Sequence, residues 1–109
     1  MQAEMIVEAV FRGLKLKFVP EYRFHETRKW RIDYFLPELK TGIEIEGGIW
    51  TGGRHTRGGG FSRDCEKYNQ ATVSGLKILR YPAHEIVKTN GLRVYADIQE
   101  LKKKKMEEK

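Results

Sequence analysis

The stretch WRIDYFLPELKTGIEIEGG, residues 30–48, decides how this chain folds. Apolar and polar residues alternate over 30–36 and again over 43–46, which is typical of two half-buried β-strands. The connection between them, residues 37–40, has the length of a hairpin loop. The stretch therefore predicts a β-hairpin, with arms at about 29–36 and 42–47.

Three acidic side chains fall on one face of this predicted hairpin. A turn centred between Glu38 and Leu39 places Asp33 directly opposite Glu44. Glu46 shares the face of Glu44, because alternating residues of a strand point the same way. The other face then carries the apolar residues Trp30, Ile32, Tyr34, Leu36, Ile43 and Ile45. Like charges across a ladder are destabilising, so the cluster is either a cation site or merely the solvated face of a half-exposed hairpin.

The first of these alternatives predicts a metal site. Asp33, Glu44 and the backbone carbonyl of Ile45 offer hard oxygen ligands at adjacent strand positions. Mg²⁺, for which Mn²⁺ can substitute, binds through one or two carboxylates together with water and substrate phosphates. Such an ion polarises a phosphate and activates an attacking water. Glu46 is then a candidate catalytic residue, as general base or as a water-mediated support for a second ion.

Two predicted helices carry further candidates. A helix over 62–74 places Lys67 on the same face as Asp64, where it either stabilises phosphoryl charge or forms a solvated ion pair. A first helix over 3–13 carries Glu4 and Glu8 one turn apart. Either glutamate reaches the metal site through water or is simply solvated.

A glycine-rich segment separates the hairpin from the second helix. Seven of the fourteen residues in 47–60 are glycine, a composition that predicts neither helix nor ordinary strand. The segment carries basic side chains and no acid, and backbone amides and guanidinium groups suit phosphate oxygens. The candidate DNA-binding residues are Trp50, which could stack on a base, together with Arg54, His55, Arg57 and, near the hairpin start, Arg28 and Arg31. The alternatives are a solubilising surface and, for Trp50, a buried hinge anchor.

The remaining pattern predicts the fold class. The first helix shows an apolar stripe of Met5, Ile6, Ala9 and Val10, and the second a stripe of Phe61, Cys65, Tyr68 and Thr72 that ends at Gly75. The pattern over 76–81 predicts a strand in the centre of the sheet. Asn90–Gly91 predicts a turn, and a last helix is predicted over 92–106. This order predicts an α/β fold, a small mixed β-sheet flanked by helices.

Composition limits the function further. The 109 residues fit one domain, with a lysine-rich tail at about 102–109, and the formal charge of +6 favours a polyanionic partner. The single cysteine, Cys65, excludes an internal disulfide and a multi-cysteine zinc site, and predicts an intracellular, cytoplasmic protein. No apolar run approaches the length of a membrane span, and Glu4 and Glu8 make the first helix unlike a secretory signal.

Four blocks of the sequence resemble a known family. WRIDY (30–34), IEIEGG (43–48), DCEKYN (64–69) and GLKILR (75–80) together resemble small phage and bacterial members of the PD-(D/E)XK nuclease superfamily. These members lie near Holliday-junction resolvases and very-short-patch-repair-type endonucleases. The resemblance implies a restriction-endonuclease-like core, with Asp33 and Glu44 as metal ligands and Glu4 as the first-helix glutamate. Glu46 stands where many relatives carry a catalytic lysine, and Lys67 is the expected replacement.

The resemblance also implies a function. It predicts a Mg²⁺-dependent endonuclease that hydrolyses DNA phosphodiesters, most simply a Holliday-junction resolvase that acts on branched DNA as a homodimer. A mismatch- or sequence-directed nicking endonuclease is the enzymatic alternative. A catalytically inactive DNA-binding module on the same fold is the alternative from another class.

Overall fold

A four-stranded sheet organises the chain. The computed structural model describes residues 2–47 and 58–108, apart from the side chain of Phe61. The elements are α1 (Ala3–Gly13), β1 (Val19–Arg23), β2 (Arg31–Leu36), a 3-10 turn (Pro37–Leu39), β3 (Thr41–Glu46), α2 (Gly58–Val73), β4 (Lys77–Pro82), α3 (Ala83–Thr89) and α4 (Leu92–Glu107). The sheet order is β1-β2-β3-β4, antiparallel except for the parallel pair β3–β4. The predicted α/β class, a mixed sheet flanked by helices, is confirmed.

One face of the sheet packs against α1, α3 and α4. The core there contains Phe11, whose ring lies 5.4 Å from that of Tyr34, together with Ile86 and Ile98. Helix α1 buries Ala3, Ile6, Val7 and Phe11, whereas Met5 is 59% exposed. The predicted stripe through Met5 and Ala9 is therefore wrong, because α1 has apolar residues on most sides and the sheet selects the side carrying Phe11.

The second half of the chain differs from prediction in two elements. Strand β4 is an edge strand, whereas β2 and β3 are each bonded on both sides. A short helix, α3, follows Pro82 directly and was not predicted. The predicted turn after it is confirmed, because Asn90 and Gly91 both adopt positive φ, 52° and 79°. In α4, Val94 and Ile98 are buried while Leu92 is 66% exposed.

Helix α2 covers the other face of the sheet. It begins at Gly58, so the prediction that residues 58–60 are not helical is wrong. Glycine is tolerated there because the first-turn N–H groups need no intrahelical acceptor. Gly75 (φ 89°) ends the helix as predicted, since its N–H and that of Leu76 donate to the carbonyls of Thr72 and Ala71. Ala71 is buried but Cys65 and Thr72 are exposed, so the predicted stripe is displaced.

Strand β2 does not alternate regularly. Tyr34 and Leu36 belong to the core under α1, as predicted. Ile32 is also fully buried, yet it lies outside that core cluster. Its Cγ2 lies 2.7 Å from the position that a Cβ on Gly42 would occupy, and Ile78 Cδ1 lies 3.0 Å from the same point. Ile32 therefore packs across the opposite face of β3, and the alternation of the strand breaks at Asp33.

The close approach at Gly42 gives a stability prediction. We expect Gly42→Ala to lower the free energy of unfolding by about 2 kcal/mol, because the added methyl overlaps a buried, β-branched side chain. Urea denaturation measures this change. Gly13→Ala is the matched control, since nothing lies within 4 Å of its added Cβ, and it should be neutral or slightly stabilising. Equal effects of the two substitutions would contradict the packing assigned to Gly42.

Candidate active site

The hairpin has the predicted register, and its strands separate at the acidic residues. The backbone ladder of β2 and β3 runs from Leu36↔Thr41 to Tyr34↔Ile43. One position further, the Asp33 N–H donates to Glu44 Oε1 at 3.0 Å. The Ile45 N–H donates to Asp33 Oδ2 at 2.8 Å. Two carboxylates thus take the place of backbone acceptors where the strands part.

Asp33 carries an unfavourable charge in this position. Burial of its carboxyl raises the pKa of Asp33 to about 6, and the charge and hydrogen bonding of the adjacent Glu44 add to the increase. The Ile45 N–H and the Lys67 ammonium act in the opposite direction without offsetting it. A cation beside Asp33 would remove this penalty.

Glu44 is buried, and both of its carboxylate oxygens accept hydrogen bonds. Its Oε2 accepts hydrogen bonds from Lys67 Nζ and from the Tyr68 hydroxyl, each at 2.7 Å. Burial opposes its ionisation, but Lys67 and Tyr68 outweigh this effect and lower the pKa of Glu44. Helix α2 supplies both donors, so the structure brings the predicted Lys67 into contact with the predicted ligand Glu44.

Tyr68 and Arg80 join the cluster without having been predicted. The Arg80 guanidinium carbon lies 4.4 Å from the centroid of the Tyr68 ring. Arg80 Nε donates to Glu46 Oε2 at 2.9 Å, which leaves its two terminal nitrogens without a partner among the described residues. Burial and the Glu44 carboxylate raise the pKa of the Tyr68 hydroxyl, so it stays protonated and donates. Glu46 therefore lies beside the site, as predicted, and its carboxylate binds the Arg80 guanidinium.

The first helix presents a different glutamate from the predicted one. Glu8 Oε2 accepts a hydrogen bond of 2.6 Å from the Tyr34 hydroxyl, next in the chain to Asp33. Glu4 is exposed, and its charge is one of the causes that raise the pKa of Tyr34, after burial and Glu8. Helix α1 thus directs Glu8 towards β2, whereas the resemblance to the nuclease family had named Glu4.

The predicted DNA-binding residues are partly described. Arg28 forms two hydrogen bonds with Glu66, at 2.9 and 3.3 Å, and stacks over Trp30. Arg31 pairs with Glu21 at 2.7 Å. Both guanidinium groups lie at the surface around the hairpin start. The other four, Trp50, Arg54, His55 and Arg57, lie outside the described residues.

The residues present fit a hard divalent cation. Within the described part of the chain, no group of three or more His, Cys, Asp or Glu side chains forms a metal cluster. Mg²⁺ needs fewer, since one or two carboxylates suffice when water and substrate phosphates complete the shell. Asp33 and Glu44 are two adjacent carboxylates of this kind, so with the Ile45 carbonyl they are the residues that could hold such an ion.

Comparison with known proteins places the fold. None of the helices in residues 2–47 and 58–108 is long and apolar enough to cross a bilayer. No protein-family model matches the sequence, and no curated protein matches it. The fold is similar to that of a solved structure, the catalytic domain of the homing endonuclease I-Bth0305I, with a TM-score of 0.67 and 18% identity over 93% of each chain. The chain therefore has the fold of an endonuclease catalytic domain.

Proposed function

We propose that this chain is a metal-dependent DNA endonuclease that hydrolyses phosphodiester bonds. The observation that carries the proposal is the Asp33–Glu44 pair, two adjacent carboxylates inserted where β2 and β3 part, with Lys67 bound to one of them. Adjacent like charges of this kind are costly unless a cation or a reaction uses them. The similarity of the fold to the catalytic domain of a homing endonuclease also supports this proposal.

Asp33, Glu44 and the Ile45 carbonyl would hold Mg²⁺ or Mn²⁺ in this proposal. When bound, the ion supplies charge neutralisation at the phosphate and lowers the pKa of water. Lys67 keeps Glu44 ionised and places an ammonium beside the reacting phosphate. Tyr68 fixes the rotamer of Glu44 through its hydroxyl hydrogen bond.

The remaining residues bind the substrate and orient water. Glu46 holds Arg80, whose terminal nitrogens are placed to donate to phosphate oxygens. In this proposal Glu46 also orients the attacking water, and Glu4 and Glu8 act through further waters. Arg28 and Arg31 bind the DNA backbone by exchanging their glutamate partners for phosphates. The other residues proposed to bind the backbone are Trp50, Arg54, His55 and Arg57.

Within this activity, we propose a four-way junction as the DNA substrate, cut by a homodimer that places one site on each of two strands. This substrate follows from the sequence resemblance to resolvases. The second candidate is sequence-directed nicking or cleavage of duplex DNA, which the fold of a homing endonuclease catalytic domain favours.

A cleavage assay separates these possibilities. Junction, mismatched and plain duplex DNA are incubated with the protein and Mg²⁺, Mn²⁺ or chelator. We expect metal-dependent products, with the junction cut fastest and a dimer found by analytical ultracentrifugation. Preferred cutting of plain or mismatched duplex would select the second candidate. Shifted bands without products under every metal would show a binding module and refute the endonuclease.

A further inference from the structure

Four lysines gather at the end of the sheet remote from the candidate active site. Lys40 directly precedes β3 and Lys77 begins β4, joined by a hydrogen bond from the Lys77 N–H to the Lys40 carbonyl at 3.0 Å. Lys104 and Lys105 come from the last turns of α4, and Lys105 Nζ donates to the Glu38 carbonyl. We name this group (Lys40, Lys77, Lys104 and Lys105) the lysine platform.

The platform surrounds a single cleft. All four lysines line a depression of about 230 Å³, whose wall also includes Leu39 and Leu101. The apolar side chains support the aliphatic lysine stems and leave the ammonium groups at the surface. Two glutamates, Glu38 and Glu108, also line the cleft, so its charged side chains sum to a positive excess.

The platform lysines differ in their ion pairing from cations near the active site. Four cations near the carboxylate cluster have an acidic partner: Arg28 with Glu66, Arg31 with Glu21, Lys67 with Glu44 and Arg80 with Glu46. No ion pair between described residues includes a platform lysine. The platform therefore offers a polyanion a positively charged surface, in a chain whose net charge is +6.

We infer that the lysine platform is a second nucleic-acid contact that binds the phosphodiester backbone of DNA without taking part in cleavage. Flexible ammonium groups contact phosphates as point charges and carry no sequence information. Strand β3 separates the platform from the carboxylates, since Lys40 to Glu44 spans about 13 Å along the chain. The platform therefore contacts phosphates well away from the cut site, on the same duplex or on a second arm.

This inference rests on the proposed function for its partner but has its own test. Binding is measured by fluorescence anisotropy on a duplex of about three helical turns, between about 50 and 200 mM salt. All proteins carry Asp33→Asn to prevent cleavage. The platform variant replaces Lys40, Lys77 and Lys104 by glutamine. The matched control replaces three exposed lysines elsewhere, Lys15, Lys17 and Lys88, by glutamine.

We expect the platform variant to bind at least about 10-fold more weakly and to lose about 2 to 3 units of the slope of log K against log salt. The control should keep most of the affinity and slope. Thermal melting checks folding, and a variant limited to Lys77 and Lys104 avoids the positive φ of Lys40 (50°). With Asp33 restored and saturating DNA, the platform variant should cut at the wild-type rate, since only KM changes.

Two outcomes would overturn the inference. Equal losses in the platform variant and the control would show that only net charge matters. Unchanged DNA binding together with lost binding to phosphatidylserine vesicles would make the partner a membrane surface. Failure of the endonuclease proposal is distinguishable, because it appears as absent cleavage in the wild type while the difference between the two glutamine variants persists.

Discussion

Asp33→Asn should abolish cleavage and yet stabilise the metal-free protein. Asparagine keeps a side-chain oxygen to accept the Ile45 N–H, so the local hydrogen bond survives. It removes the negative charge that a metal would need, and we expect cleavage to fall on the order of 10³-fold with DNA binding nearly unchanged. The readouts are a single-turnover cleavage rate and a dissociation constant for the same DNA.

The stability gain has a defined pH dependence. The folded pKa of Asp33, about 6, lies above its ordinary value of 3.8, so ionisation lowers the free energy of unfolding as the pH rises through this interval. Asp33→Asn removes this loss. The Asp33 carboxyl is only partly buried and the residue as a whole is exposed, so water screens much of this effect. We therefore expect only about 1 kcal/mol, or about 4 °C in Tm, at about pH 8 and none at about pH 3.5.

Metal adds a third measurement to the same variant. Mg²⁺ at about pH 8 should raise the Tm of the wild type and leave that of Asp33→Asn unchanged, since a ligand stabilises only the state that binds it. Glu100→Gln, an exposed acid on α4, is the control and should keep wild-type cleavage and Tm. Full turnover by Asp33→Asn, or a lower Tm at about pH 8, would contradict the assigned role.

Lys67→Met should be the most damaging of these substitutions for stability, and it should also impair cleavage. It leaves the Glu44 carboxylate, 5% exposed, without its cation while Tyr68 and the Asp33 N–H remain. Removing one partner of a buried ion pair costs about 3–5 kcal/mol, and the partial exposure of Lys67 reduces this to about 2–3 kcal/mol. Cleavage should fall about 100-fold or more, since charge stabilisation at the phosphate is lost.

The pH dependence of this loss has the opposite sign to that of Asp33. The pKa of Glu44 is lowered in the folded wild type, so its ion pair stabilises the protein above the ordinary pKa and the contribution is lost as the pH falls. Urea denaturation should therefore show a large deficit for Lys67→Met at about pH 8 and a small one at about pH 3. Adding Glu44→Gln to Lys67→Met should recover part of the stability. A deficit no larger than that of Lys88→Met would refute the buried pair.

The hairpin could be predicted because its constraints are local. A short connection fixes the register, and the register alone places Asp33 beside Glu44. Lys67 could be proposed because the sequence offered a basic residue on the helix after the hairpin. The contact of Lys67 with Glu44 depends on how α2 docks against the sheet, and no local sequence pattern determines that docking.

The parts that could not be predicted depend on distant packing. Arg80 reaches Glu46 only because β4 lies parallel to β3, with Glu44 level with Arg80. Thirty-four residues separate the two partners, and turn length cannot set that register. The sequence assigned Tyr68 to an apolar stripe, because a tyrosine ring fits a hydrophobic core as well as it fits a polar site. Only the hydrogen bond from its hydroxyl to Glu44 shows that it belongs to the site.

The carboxylates and their cations come from separate parts of the chain, and this has a consequence during synthesis. A nascent polypeptide that ends before Lys67 already contains Asp33, Glu44 and Glu46, but neither the ammonium that keeps Glu44 ionised nor the guanidinium held by Glu46. The ribosome thus completes the acidic half of the centre long before the basic half. In the proposed enzyme, the acids and their cations therefore come together only after α2 and β4 have been synthesised and have docked.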